Sequence, residues 1–270
     1  MKELSLEELH EIGKEIRSAA MLRTRPTAVK FITNPEEFPP KLRFPYKDLD
    51  CKVTPCQAHN MVRTWGISLG MTVEDFVNMP CGLFWGFGLE VNGEKFDEER
   101  VPKYWVEEMD FFKDEEAGMN LLKAAPRIPQ GKYMGIVMSP LERTRVMPDV
   151  VVAYGDPAQI YRLILALNFA RGTGIKGNFS GAGALCLQGV IPTFLDREPR
   201  VFNPGGGERG IAMTQDNELG VVIPTERLQE TVEGLKRGKA GAGKYPVNAY
   251  LHFTATHHPY EGLGITKITR

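Results

Sequence analysis

The chain is expected to fold as an α/β protein with a mixed sheet covered by helices. Three observations predict this. Buried-type strand patterns such as DVVVAYG and LGVVIP alternate with capped helical patterns in the second half. Apolar residues make up 42% of the 270 residues and charged residues 25%, an ordinary globular balance. No linker-like composition shift, solenoid repeat or low-complexity tract interrupts the chain, so one domain spanning residues 1–270 is expected.

The elements follow in order. Ser5 and Glu8 form a capping-box pattern, and Leu6, Leu9, Ile12 and Ile16 recur at near-helical spacing. Pro26 precedes TAVKFI, a strand pattern that puts Val29 and Phe31 on one face. Residues 33–55 are rich in Pro, Lys and Asp and read as irregular. The spacing of Ala58, Val62 and Trp65 predicts a helix over 56–69 with those three side chains on one face. Thr72 to Val77 reads as a short capped helix that Pro80 stops just before Cys81. A helix is expected around 106–123 within a charged, mixed stretch.

The clearest unit begins at Tyr133. YMGIVM reads as a strand, SPLERTRVMP as a connection and DVVVAYG as a second strand. Asp156 then caps a helix with Pro157 at its first position and Gln159 three residues after the cap. Ile160, Leu163, Ile164 and Leu167 carry the pattern to about Arg171, and Gly172 ends it. LGVVIP is another strand, and Thr225 caps a helix with Leu228, Val232 and Leu235 facing inward.

The formal net charge is −1, and no general basic excess marks a nucleic-acid footprint. MKELSLEELHEIGKEIRS lacks the apolar core of a signal peptide, and no stretch approaches a membrane span, so a cytoplasmic location is expected. Cysteines there stay reduced or bind metal. Cys51 and Cys56 lie in CKVTPCQAHN, Cys81 in NMPCGLFWGFG, and Cys186 after the glycine-rich run GTGIKGNFSGAG. Proline and glycine beside Cys56, Cys81 and Cys186 suggest turns that let sulfurs point into one volume, with backbone N–H groups free to donate to them. The spacing matches neither ferredoxin nor zinc-finger patterns, and buried free cysteine is the competing reading.

Other motifs carry less. GKAGAGK at 238–244 has Tyr245 where a phosphate loop needs Ser or Thr and is read as a surface loop. DVVVAYGDPAQ has one glycine and an acid at the helix start, against a dinucleotide site. GTGIKGNFSGAG and NPGGGERG are candidate loops over a cluster or a small anion, with Lys176 or Arg209 supplying charge; both also read as plain surface loops. His59 shares a helix face with Cys56 and is a candidate ligand or base. His257 and His258 are read as surface residues, and Trp65, Phe84, Trp85 and Phe87 flank the cysteines.

RPTAVKFI, CQA, PCG, GIVMSPLE, PDVVVAYGDPAQIYRLI, GALC and VVIPTERLQETVEGLK occur in that order. The series resembles an uncharacterised prokaryotic family, the domain-of-unknown-function family numbered 169, over about residues 20–237. The resemblance implies recurrent cysteines at Cys56, Cys81 and Cys186, as expected of a cluster with three protein thiolates in largely anaerobic lineages. Cys51 falls outside that pattern and stands as a fourth metal-ligand candidate. The first expectation is therefore an iron–sulfur protein, a [4Fe–4S] cluster on Cys56, Cys81 and Cys186, with a redox, sensing or substrate-binding role. The alternatives are a metal-free thiol enzyme, with Cys56 or Cys186 as nucleophile and His59 as base, and a binding protein that uses the glycine-rich loops. Expected partners are a redox partner or a small-molecule ligand, not nucleic acid or membrane, in a homo-oligomer.

Overall fold

A computed structural model describes residues 4–77, 79–87, 90–91, 94–95 and 97–237. GKAGAGK and His257–His258 lie outside the described residues. In chain order the elements are α1 (Leu6–Ala19), β1 (Thr27–Ile32), α2 (Pro45–Leu49), α3 (Pro55–Trp65), β2 (Leu69–Thr72), α4 (Met79–Trp85), β3 (Glu90–Val91), β4 (Glu94–Lys95), α5 (Arg100–Glu107) and α6 (Glu115–Ala124). Then come β5 (Gly135–Pro140), β6 (Val150–Gly155), α7 (Pro157–Asn168), β7 (Lys176–Gly177), a π-helix (Ala184–Val190), α8 (Ile191–Asp196), β8 (Arg200–Phe202), α9 (Gly206–Ile211), β9 (Leu219–Pro224) and α10 (Leu228–Arg237).

Seven strands form one sheet in the order β2-β5-β1-β6-β9-β8-β7, and β3 pairs with β4 apart from it. The β7–β8 pair is parallel and the other neighbours are antiparallel, so the sheet is mixed as expected. Both faces of the central strands are covered, which is why TAVKFI and VVVAYG read as nearly unbroken apolar runs. Alternate residues feed different cores. Val29, Phe31, Ile136, Met138, Val152, Tyr154 and Val222 face a core with α3, α4 and the π-helix. Ala28, Val151, Ala153, Val221 and Ile223 face a second core with α1, α7 and α10. The register sets Phe31 opposite Ile136 and Val152 opposite Val222, so each face stays apolar across the strands.

Local signals placed several elements correctly. The Ser5–Glu8 box opens α1, and Asp156 with Gln159 opens α7. Others differ. The irregular 33–55 stretch contains α2. The helix expected over 56–69 ends at Trp65, because Gly66 turns left-handed at φ +73° and the chain then enters β2; Trp65 is 64% exposed rather than facing inward with Ala58 and Val62. Thr72 opens only a 3-10 turn over Val73–Asp75. Pro80 does not stop a helix but lies in the first turn of α4, where no intrahelical N–H is needed. The single helix expected over 106–123 is two, because Asp110 adopts φ +50° and Asp114 caps α6 afresh. Helix α7 ends at Asn168, three residues short of Arg171; the N–H of Gly172 still returns to Asn168 O at 2.8 Å.

Candidate functional site

Three of the four cysteines meet in the first core. Cys56 is the second residue of α3, behind Pro55, with Thr54 and Gln57 closing a capping box around it. Cys81 comes from α4 and Cys186 from the π-helix. Cys56 and Cys186 are buried and Cys81 is partly buried against the same apolar cluster. Cys51 is exposed on the segment after α2 and does not join them.

Cys186 is the hub. The thiols of Cys56 and Cys81 both hydrogen-bond to it, and these bonds, opposed by burial and reinforced by the Trp85 indole, hold its thiol well below the ordinary range. Trp85 Nε1 donates to Cys186 Sγ at 3.0 Å. Cys56 and Cys81 are pushed well up, by their bonds to Cys186 and by burial. Cys186 is therefore the most readily ionised of the three thiols. Trp85 is itself fixed, stacked on Phe31 with ring centroids 5.5 Å apart. The aromatics flanking the cysteines divide accordingly: Phe84, Trp85 and Phe87 are buried in this core and Trp65 is not.

A buried carboxyl adjoins the thiols. Glu208 of α9 is 2% exposed and accepts from Leu185 N at 3.0 Å, from Gly205 N at 3.1 Å and from the Tyr154 hydroxyl. It thus ties the start of the π-helix to α9 and β6. Burial raises the Glu208 carboxyl from 4.5 to about 7, against those three bonds, and the Cys186 charge adds to the rise. Burial and the Glu208 charge in turn push the Tyr154 phenol well up. The Arg63 guanidinium lies over the Tyr154 ring at 4.4 Å and forms a two-pronged pair with Glu218, at 2.6 and 2.9 Å.

The sequence reading missed Glu208 and Tyr154. NPGGGERG reads as a loop but carries Glu208 to the thiols, while Arg209 is tied within its own turn to Pro204 O, Asn203 and Gln215 O. The other run, GTGIKGNFSGAG, leads into the π-helix, and its Lys176 lies 3.9 Å from Asp196. His59 is buried with its Nε2 unpartnered, its ring 5.1 Å from that of Tyr154. Burial, with the Arg63 charge, lowers it well below its ordinary range, so it stays neutral; the thiols bond to one another and to Trp85 rather than to His59.

The donor set suits a thiophilic metal. It offers three sulfurs from separate elements, apolar walls and an indole N–H aimed at one sulfur. The described geometry is that of thiols in mutual contact, and among the described residues no group of three or more His, Cys, Asp or Glu is spaced to hold a metal ion. Metal entry would replace the S–H···S bonds. A cleft of about 790 Å3 lies beside the centre, lined by Thr54 and Gln57, which bracket Cys56, by Pro80, which precedes Cys81, and by Tyr104 and Ile211.

Fold and site together define a mixed-sheet α/β protein with a buried three-cysteine centre at the meeting of two helices and a π-helix. The model of the DUF169 family, described as "Uncharacterised ArCR", matches residues 15–234, and the chain belongs to that family. The chain is also 28% identical over 233 residues to the "Uncharacterized protein MJ0308" of Methanocaldococcus jannaschii, covering 86% of this chain and 96% of that one. No solved structure matches it. Among the described residues no helix is long and apolar enough to cross a membrane.

Proposed function

We propose that Cys56, Cys81 and Cys186 hold an iron–sulfur cluster, a [4Fe–4S] centre in a cytoplasmic redox, sensing or substrate-binding protein. The observation that carries this reading is the convergence of three thiols, far apart in sequence, around one sulfur in an apolar core. When bound, such a cluster supplies one-electron chemistry, and three protein thiolates leave one iron for an outside ligand. This chain's part is to supply the sulfurs, to donate to Cys186 Sγ from Trp85, and to exclude water with Phe84, Trp85 and Phe87. The cleft beside Pro80 and Thr54 is where a small substrate or redox partner approaches. Cys51 stands away from the three and is not needed for this arrangement.

The same contact favours a second reading. Without metal, Cys186 is the most readily ionised of three thiols in contact and would attack a disulfide partner as its thiolate. Cys56 or Cys81 then resolves the mixed disulfide, so two thiols are oxidised as the partner is reduced. One preparation separates the readings. Protein purified without oxygen should absorb broadly near about 400 nm, bleach with dithionite and carry matching iron and sulfide. The variants Cys81→Ser and Cys186→Ser should lose that absorbance while Cys51→Ser keeps it. Colourless protein that takes up no iron on reconstitution would refute the cluster. Reversible loss of two thiols on exposure to a small disulfide would then support the second reading.

A further inference from the structure

The second site lies at the β2–β5 edge of the sheet and is independent of the thiol centre. Ile136 and Met138 of β5 enter the thiol-side core, so Val137 and Ser139 point to the other face. The segment before α2 covers that face, since Leu42 and Phe44 lie directly over Gly70 of β2. Between them is a cavity of about 290 Å3, lined by Lys41, Arg43, Arg143, Arg145, Ser68, Ser139 and apolar wall residues.

Two features there point to a ligand. Four cations line the cavity and no acid does. Among the described residues none of the four forms an ion pair, and the nearby Glu142 is taken by Arg25 at 3.1 Å and Arg17 at 3.6 Å. Arg145 reaches only Pro40 O, at 3.0 Å, across the cavity's own wall. The chain as a whole is balanced, with 33 Lys and Arg against 34 Asp and Glu, so an acid-free cluster of four is not a consequence of composition. The second feature is Ser139. It is 2% exposed and its Oγ has no hydrogen-bond partner. A buried hydroxyl without a partner is destabilising; the four cations are exposed to solvent, and their common sign selects an anion.

One anion answers both features. The Ser139 hydroxyl can donate to it, and guanidinium forks match the oxygens of a phosphate. Four positive charges call for more than the single charge of a carboxylate. We propose that this cavity binds a small molecule through a phosphate or diphosphate group, with Ser139 as the buried donor and Arg143 and Arg145 as the outer clamp.

The test is isothermal titration calorimetry on the full chain at low salt, with inorganic pyrophosphate and a nucleoside diphosphate as probes. Saturable one-to-one binding that weakens with added salt is expected. The double variant R143Q/R145Q, altered at two exposed side chains, should bind about tenfold more weakly or worse. Ser139→Ala removes no charge and should still weaken binding several-fold, while its melting temperature does not fall because the hydroxyl has no partner to lose. Equal affinity in wild type and S139A would overturn the assignment, as would no saturable heat from either probe up to about 5 mM. Tighter binding of a single-stranded oligonucleotide that displaces pyrophosphate would also overturn it, by making the surface a nucleic-acid contact.

Discussion

Glu208 makes a contribution to the stability of the metal-free protein that falls as pH rises. Its carboxyl moves from 4.5 to about 7 on folding, because burial outweighs the donors at Leu185 N, Gly205 N and Tyr154. Below about pH 4.5 the group is neutral in both folded and unfolded chains, and its contribution is constant. Between 4.5 and 7 the unfolded chain releases the proton while the folded one keeps it, so stability is lost with rising pH. Above 7 both are ionised and the loss is complete, at about 3 kcal/mol. Glu208→Gln isolates this. The amide oxygen can accept from Leu185 N and Gly205 N, and the amide nitrogen can donate to the Tyr154 oxygen, as a protonated carboxyl would. Urea unfolding of both proteins at pH 5 and pH 8 gives the difference, in which their shared groups cancel. The variant should gain about 2 to 3 kcal/mol over wild type on going from pH 5 to pH 8. Parallel pH dependence in the two proteins would refute the argument, since no buried carboxyl would then be ionising.

Two further substitutions probe the frame around the site. In Gly234→Ala the new Cβ would lie 2.3 Å from Ala166 O and 2.7 Å from Ala166 Cα, both rigid backbone of α7. Alanine at an exposed helix position gains about 1 kcal/mol over glycine, but here a loss of about 2 kcal/mol is expected by urea unfolding, and no loss would mean that α10 and α7 are not in contact. In Arg63→Met the two bonds to Glu218 disappear and leave a carboxylate whose side chain is only 12% exposed. A cost of about 3 kcal/mol is expected, much of it recovered when Glu218→Leu is added, and an unchanged urea midpoint in the single variant would count against a buried pair.

What could be read beforehand was whatever a short window encodes. Asp156, Pro157 and Gln159 specify the start of α7 without help from the rest of the chain, and Ser5 with Glu8 does the same for α1. Pro80 misled because a proline near a helix start and a proline that stops a helix look alike until the partner elements are known. Trp65 shares its period with Ala58 and Val62, yet it ends exposed, because Gly66 turns the chain away at that residue. The cysteines stood out through their proline and glycine neighbours and the family resemblance. Tyr154 and Glu208 did not: one looks like an ordinary strand residue, the other sits in a glycine run, and 54 positions separate them. No local period links such a pair.

The residues that break local rules gather around Cys186. A π-helix is rare and poorly bonded, yet Ala184–Val190 adopts one with all seven residues buried. It starts at Gly183, whose φ of +63° suits glycine, and a Cβ there would lie 2.8 Å from Leu187. The N–H of Leu185 in its first turn is bonded to Glu208, whose burial is itself unfavourable. Neither feature stabilises the fold by itself, and both are fixed by long-range contacts. Together they set one sulfur against Cys56, Cys81 and the Trp85 indole. A chain under selection for packing alone would take an ordinary helical turn and an apolar side chain at those positions. Their coincidence at a single thiol is what singles out Cys186, rather than the exposed Cys51, as the centre of the candidate site.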